Sequence, residues 1–200
     1  REGIVGTFYF KKLDALMGGG LGAGELGIIL AGGKVGKSTL LARFAAGAMW
    51  QGKTVAIASG ELSAKKYRKR IDAMFTVTPT WKLTRYSSGF FEDNKTLIKK
   101  LLHSQKRLEH TKQQARGSLY IKQWPTNKGK VQDIELWLDQ LKENGISVDI
   151  LFVDYVRVFR SNERFDEQRM SIGAVCMDLR GVAVERNIPV WTASQSNRAA

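Results

Sequence analysis

The sequence predicts an α/β domain with a mostly parallel central sheet and helices on both faces. Five short apolar runs recur along the 200 residues, segments of helical period separate them, and a glycine-rich turn joins the first run to the first such segment. A chain of this length with 43% hydrophobic residues and five Trp can bury the core of one such domain, which argues against disorder. Cys176 is the only cysteine, so a disulfide framework is excluded and a reducing cytoplasm fits. No apolar run approaches the length of a membrane span. The opening Arg1-Glu2-Gly3 carries no Met and no signal-peptide pattern, and reads as the start of a fragment or a processed chain.

Residues 4–20 read as an irregular lead-in with a short helical turn, closed by Gly18-Gly19-Gly20. The glycines through Gly24 precede the first strand rather than follow it, so they are a turn and not a phosphate loop. Leu26–Leu30 is the first strand and Ser38–Trp50 the first long helix. Thr54–Ser59 is a buried second strand, running through Gly60-Glu61-Leu62-Ser63 into a helix over 64–75. Residues 76–91 read as a loop and 93–115 as a helix, on which His103 and His110 lack partners at metal-ligand spacing and are surface residues. Ser118–Gln123 is the third strand, stopped by Trp124-Pro125 and followed by the basic turn 127–130. A helix over 131–143 carries Val131, Ile134, Leu138 and Leu141 at helical spacing, with Trp137 in the core. Residues 148–155 hold the fourth strand, 157–169 a basic polar loop, 168–186 a helix, and Ile188–Ala193 the fifth strand.

The stretch from Ala31 to Ser38, Ala-Gly-Gly-Lys-Val-Gly-Lys-Ser, lies between strand and helix as a P-loop does. Glycines let backbone N–H groups approach a triphosphate, and the helix start adds unpaired N–H groups and a positive dipole end. In that setting Ala31, Gly32, Gly33, Lys34, Val35, Gly36, Lys37, Ser38 and Thr39 line the phosphates. Lys37 meets the β- and γ-phosphates, and the Ser38 hydroxyl ligates Mg²⁺. Ile150-Leu151-Phe152-Val153-Asp154 is a buried strand delivering a carboxylate, the Walker B pattern for the magnesium site. Glu61, just past the end of the second strand, is the candidate general base for the attacking water. The net charge of +13 points to a polyanion, nucleic acid first. Lys65–Arg70 is one basic cluster; between Lys95 and Lys130 ten Lys/Arg face the single acid Glu109, a stretch equally readable as a solvated face.

Together these stretches resemble the ATPase core of DnaB-type replicative helicases, RecA-like P-loop motors of bacteria and phages. The resemblance is carried by Gly19-Gly20-Leu21, Gly24-Glu25-Leu26, the P-loop, Glu61-Leu62-Ser63, Asp149–Tyr155 and Thr192-Ala193-Ser194-Gln195-Ser196-Asn197-Arg198. It implies one RecA-like domain over 1–200, C-terminally incomplete, with 1–24 as lead-in. It also implies ATP and Mg²⁺ as cofactors, Glu61 as catalytic glutamate, Asp154 as Walker B acid and Gln195 as γ-phosphate sensor. Arg157, Arg160, Arg164 and Arg198 would lie near the phosphates of single-stranded DNA. The partners implied are that DNA, further copies in a hexameric ring, and a primase or loader, in the cytoplasm of a bacterium or a phage host. Two departures stand out: Lys34 replaces a small or apolar residue, and Gly60 replaces a larger one, which would loosen the base. A recombinase filament and a non-hydrolysing ATP-binding loader or scaffold are the competing readings.

Overall fold

Strands that are apolar on both faces must be covered on both, and the chain does this with two pairs of helices. The computed structural model describes residues 3–7, 10–76, 80, 117–126, 128–161 and 168–196. Its strands are β1 (Leu26–Ala31), β2 (Val55–Ser59), β3 (Leu119–Gln123), β4 (Ile150–Asp154) and β5 (Val190–Gln195). They form one sheet in the order β1-β5-β4-β2-β3, with each pairing parallel. The helices are α1 (Lys11–Leu16), α2 (Lys37–Trp50), α3 (Ala64–Thr76), α4 (Val131–Glu143) and α5 (Gln168–Arg186). The helix read over 93–115, with His103 and His110, lies outside the described residues.

Side chains alternate across a strand, and here they alternate between two cores. Val55, Ile57, Ile150, Phe152, Trp191 and Ala193 meet α2 and α3 through Leu41, Phe44, Tyr67 and Ile71. Ala56, Ala58, Leu151, Val153 and Val190 point the other way, onto Ile134 and Leu138 of α4 and Leu179 and Val182 of α5. Trp137 is buried in this second core, as expected. On α3 the residues Tyr67, Ile71 and Phe75, each four apart, are buried while Lys65, Lys66 and Arg68 are exposed. Most of that basic cluster is therefore the solvated face of an amphipathic helix.

The lead-in is packed rather than detached. Val5 and Leu21 form an antiparallel bridge and are buried, and the Gln51 amide at the end of α2 exchanges hydrogen bonds with the Gly6 backbone. The fifth strand begins later than the apolar run Ile188-Pro189. Pro189 has no N–H to give, so the β1–β5 ladder starts at Val190, whose N–H bonds the Glu25 carbonyl, and extends to Gln195.

Across the α4–α5 face, Arg186 grips both carboxylate oxygens of Asp139 with its two terminal nitrogens. That hydrogen bonding holds the Asp139 carboxyl below the usual aspartate range. A depressed carboxyl stabilises the fold above its unfolded-state pKa and loses that contribution as pH falls through the folded one. Asp139→Asn should therefore lower the melting temperature at neutral pH. The gap to wild type should close as pH falls below the ordinary aspartate range and shrink in high salt, because the pair is partly exposed. Thermal melts across pH and salt check both trends.

Candidate functional site

The glycine-rich turn leaves β1 at Ala31 and enters α2 through Gly36, whose φ of +94° suits glycine and no ordinary side chain. No side chain caps the start of α2, while the N–H groups of Thr39 and Leu40 bond back to the Gly36 carbonyl. The Lys37 ammonium lies over the loop, donating to the carbonyls of Gly32 at 2.6 Å and Ala31 at 3.2 Å. Lys34 is exposed with φ +59°, so the odd residue of the loop occupies a left-handed conformation that costs a non-glycine residue about 1 kcal/mol. Its charge faces water at the rim.

Parallel register sets the next groups beside this turn. Asp154 pairs with Ser59 across β4 and β2, and Gln195 pairs with Ala31 across β5 and β1. The Ser38 hydroxyl donates to Asp154 Oδ1 at 3.0 Å. Asp154 is completely buried. Burial pushes its carboxyl above the ordinary aspartate range, while hydrogen bonding from the Ser38 and Tyr67 hydroxyls pulls the other way. A serine hydroxyl beside a buried carboxylate is the donor pair for a hard cation such as Mg²⁺. Among the described residues no group of three or more His, Cys, Asp or Glu could hold a metal. An ion held by Ser38 and Asp154 would take its remaining ligands from substrate phosphates and water.

Glu61 sits in a turn that Ser59 locks. The Ser59 hydroxyl donates to the Leu62 carbonyl at 2.7 Å and accepts from the Leu62 N–H at 3.1 Å. The Glu61 side chain is exposed and lines an open cleft of about 1180 Å³ with the P-loop, Tyr155, Gln195 and Arg70. The Gln195 amide lies against the P-loop: its Nε2 is 2.9 Å from where a Cβ on Gly33 would stand. The Ser196 N–H bonds the Ala31 carbonyl at 3.2 Å, so the end of β5 is tied to the start of the turn.

The structure thus brings Lys37, Ser38, Glu61, Asp154 and Gln195 to one sheet edge. Of the four arginines expected near DNA, Arg157 is half-buried in a 3₁₀ turn over Val156–Val158, and Arg160 is exposed beyond it. Arg164 and Arg198 lie outside the described residues. Arg160 is joined by backbone to the basic turn after β3, its N–H bonding the Gly129 carbonyl and its carbonyl accepting from Val131. Exposed Lys128 and Lys130 therefore stand beside it. Sequence reading missed this juxtaposition, and it missed Arg70, hidden among lysines and arginines that face solvent.

Gly60 also differs from expectation. It does not loosen the turn before Glu61; its N–H bonds the Asp154 carbonyl at 2.9 Å and its carbonyl accepts from the Thr126 hydroxyl at 2.9 Å. A Cβ here would come within 2.4 Å of the Val158 side chain.

A parallel sheet with a P-loop at the end of its first strand and two carboxylates along the same edge defines the P-loop nucleoside-triphosphatase class. Residues 5–200 match the family model described as the DnaB-like helicase C terminal domain, and the chain belongs to that family. It is 27% identical over 197 residues to the DnaB-like replicative helicase of Enterobacteria phage T4, covering 96% of this chain and 39% of that protein. It is 28% identical over 193 residues to the replicative DNA helicase DnaB of Helicobacter pylori, covering 95% of this chain and 36% of that one. The chain spans well under half the length of both relatives. A shorter likeness, 43% over 69 residues and 34% of this chain, is to the DNA repair protein RadA of Campylobacter jejuni. A solved DnaB-like replicative helicase, described with its interactions with primase, superposes on 97% of this chain with a TM-score of 0.75 at 20% identity, using 43% of its own length. The fold is the RecA-like one of these solved structures; the sequence led to a mostly parallel sheet, and the five described strands pair in parallel throughout.

The packing around Gly60 is testable. Gly60→Ala should force Val158 aside and destabilise the fold by about 1–3 kcal/mol, read as a lower denaturation midpoint with unchanged slope.

Proposed function

We propose that this chain is the ATP-hydrolysing motor domain of a replicative helicase, which moves along single-stranded DNA and so unwinds duplex. The observation that carries the reading is the alignment of Lys37, Ser38, Asp154, Glu61 and Gln195 along one edge of the sheet, in a chain of the DnaB family. A metal-binding buried carboxylate and a catalytic base serve hydrolysis rather than mere nucleotide retention.

In this reading the P-loop amides and the Lys37 ammonium bind the β- and γ-phosphates, Lys37 exchanging its contacts with the Ala31 and Gly32 carbonyls for phosphate oxygens. Ser38 and Asp154 hold Mg²⁺, which neutralises charge on the phosphates. Glu61, fixed by the Ser59-locked turn, orients and deprotonates the attacking water. Gln195 senses the terminal phosphate. Its contact with Gly33 and the Ser196–Ala31 hydrogen bond carry the state of the phosphate loop to the end of β5, where Asn197 and Arg198 follow. Arg157, Arg160 and Arg164, with Arg198, supply phosphate contacts on the DNA side. The working form is a ring of copies, six by family resemblance, in the cytoplasm of a bacterium or a phage host, with a primase or loader as further partner. The described residues contain no helix long and apolar enough to cross a membrane. The local likeness to RadA supports a shared nucleotide core and leaves the recombinase reading second, because it covers only a third of the chain.

The full-length protein with ATP and Mg²⁺ should release phosphate, faster with single-stranded DNA. Glu61→Gln should lower the rate by about 10²–10⁴-fold while ATP still binds. Absence of DNA-stimulated hydrolysis would overturn the motor reading, and open filaments on DNA in place of rings would favour the recombinase. For the basic edge, Lys130→Ala with Arg160→Ala should weaken single-stranded DNA binding. The slope of log affinity against log salt should become shallower by about 1.4, the value for two lost phosphate contacts. An unchanged slope would return both residues to the solvated surface.

A further inference from the structure

Two side chains of α3 bear on Asp154 beneath the P-loop cleft: the Tyr67 hydroxyl, which acts on its carboxyl as a hydrogen-bond donor, and Arg70, which acts on it by charge and whose Nη1 is buried with no hydrogen-bond partner. Tyr67 and Arg70 are three apart on α3, hence on one face, and both interact electrostatically with Asp154. Tyr67 is fully buried in the α2–α3 core, which fixes the rotation of α3 and so where Arg70 emerges. Arg70 is half-buried and lines the cleft that Lys37, Glu61 and Gln195 share.

Asp154 and Arg70 make opposite demands. A buried carboxylate beside the Ser38 hydroxyl calls for a cation, and an unpartnered guanidinium N–H calls for an anion. A metal–triphosphate meets both at once. Arginine is also the side chain whose planar fork matches phosphate, and it stays charged in a half-buried site where lysine would lose its proton more readily. Arg70 shares the cleft with Lys37 and Glu61, the groups that meet the terminal phosphate and the attacking water in the motor reading.

We propose that Arg70 is a second phosphate-binding cation of this site, supplied by the same chain from α3, and that it engages the terminal phosphate so that the site distinguishes ATP from ADP. Tyr67 acts as its positioning residue. The proposal rests on the nucleotide-hydrolysing reading above and assigns the guanidinium a ligand that reading leaves out.

The test titrates fluorescent ATP and ADP analogues, each with Mg²⁺, into the full-length wild type and into Arg70→Ala, Arg70→Lys and Tyr67→Phe, with Lys37→Ala as a control. Nucleotide-free melts establish that each variant is folded. Arg70→Ala should weaken ATP binding about tenfold or more and ADP binding less than about threefold, collapsing the discrimination between them. Arg70→Lys should recover part of it. Equal losses for both nucleotides, or no loss for either, overturn the proposal, and should Arg70→Ala not fold, the ATP/ADP ratio of Arg70→Lys decides in the same way. Failure of the wild type to bind either nucleotide, or binding that Lys37→Ala does not disturb, would instead overturn the reading of the site itself.

Discussion

The hydrogen bond from Ser38 to Asp154 joins two residues 116 positions apart, and the rest of the site depends on it. It can form only because β1 and β4 end at the same edge of a sheet covered on both faces. With helices packed on both faces, the carboxyl ends of the strands offer an edge where polar groups meet solvent. Ser59, Asp154 and Gln195 close their strands at this edge, and Ala31, where the glycine-rich turn begins, pairs with Gln195. The core thus acts as a jig for chemistry it does not touch.

Burial of Asp154 shows what that jig costs. A carboxyl deep in the sheet is disfavoured as an ion, and the Ser38 and Tyr67 hydroxyls offset only part of that cost. The imbalance belongs to a site completed from outside, and the nearby Arg70, with its buried unpartnered Nη1, shares in it. Polar groups left partly satisfied in a packed interior reduce stability, so their clustering at one edge is a stronger pointer to a ligand than any one of them alone.

Much of this was legible in the sequence, for identifiable reasons. β2 and β4 are unbroken apolar runs, which suits strands buried on both sides, and the glycine-rich turn has a spacing few other structures need. Glu61, Asp154 and Gln195 were each visible as a polar residue at or just past the end of an apolar run, and Lys37 and Ser38 as the close of that turn. What was hidden depends on contacts between distant segments. Arg70 could not be told from Arg68 without knowing which face of α3 Tyr67 buries. Gly60 looked like slack because the Val158 side chain that fills its space comes from nearly a hundred residues away. The union of Arg160 with the turn at Gly129 is a backbone bridge, which leaves no trace in residue type.

That bridge makes the loop after β3 a crossbar. At one end the Thr126 hydroxyl holds the Gly60 carbonyl, next to Glu61; at the other, Gly129 and Val131 hold Arg160. Between them Trp124 is packed edge-on against both Trp137 and Phe159, with ring centres 5.5 and 5.8 Å away. Hydrogen bonds and ring packing thus join the basic edge at Arg160 to the turn that carries Glu61, so a displacement at one has a contiguous packed route to the other.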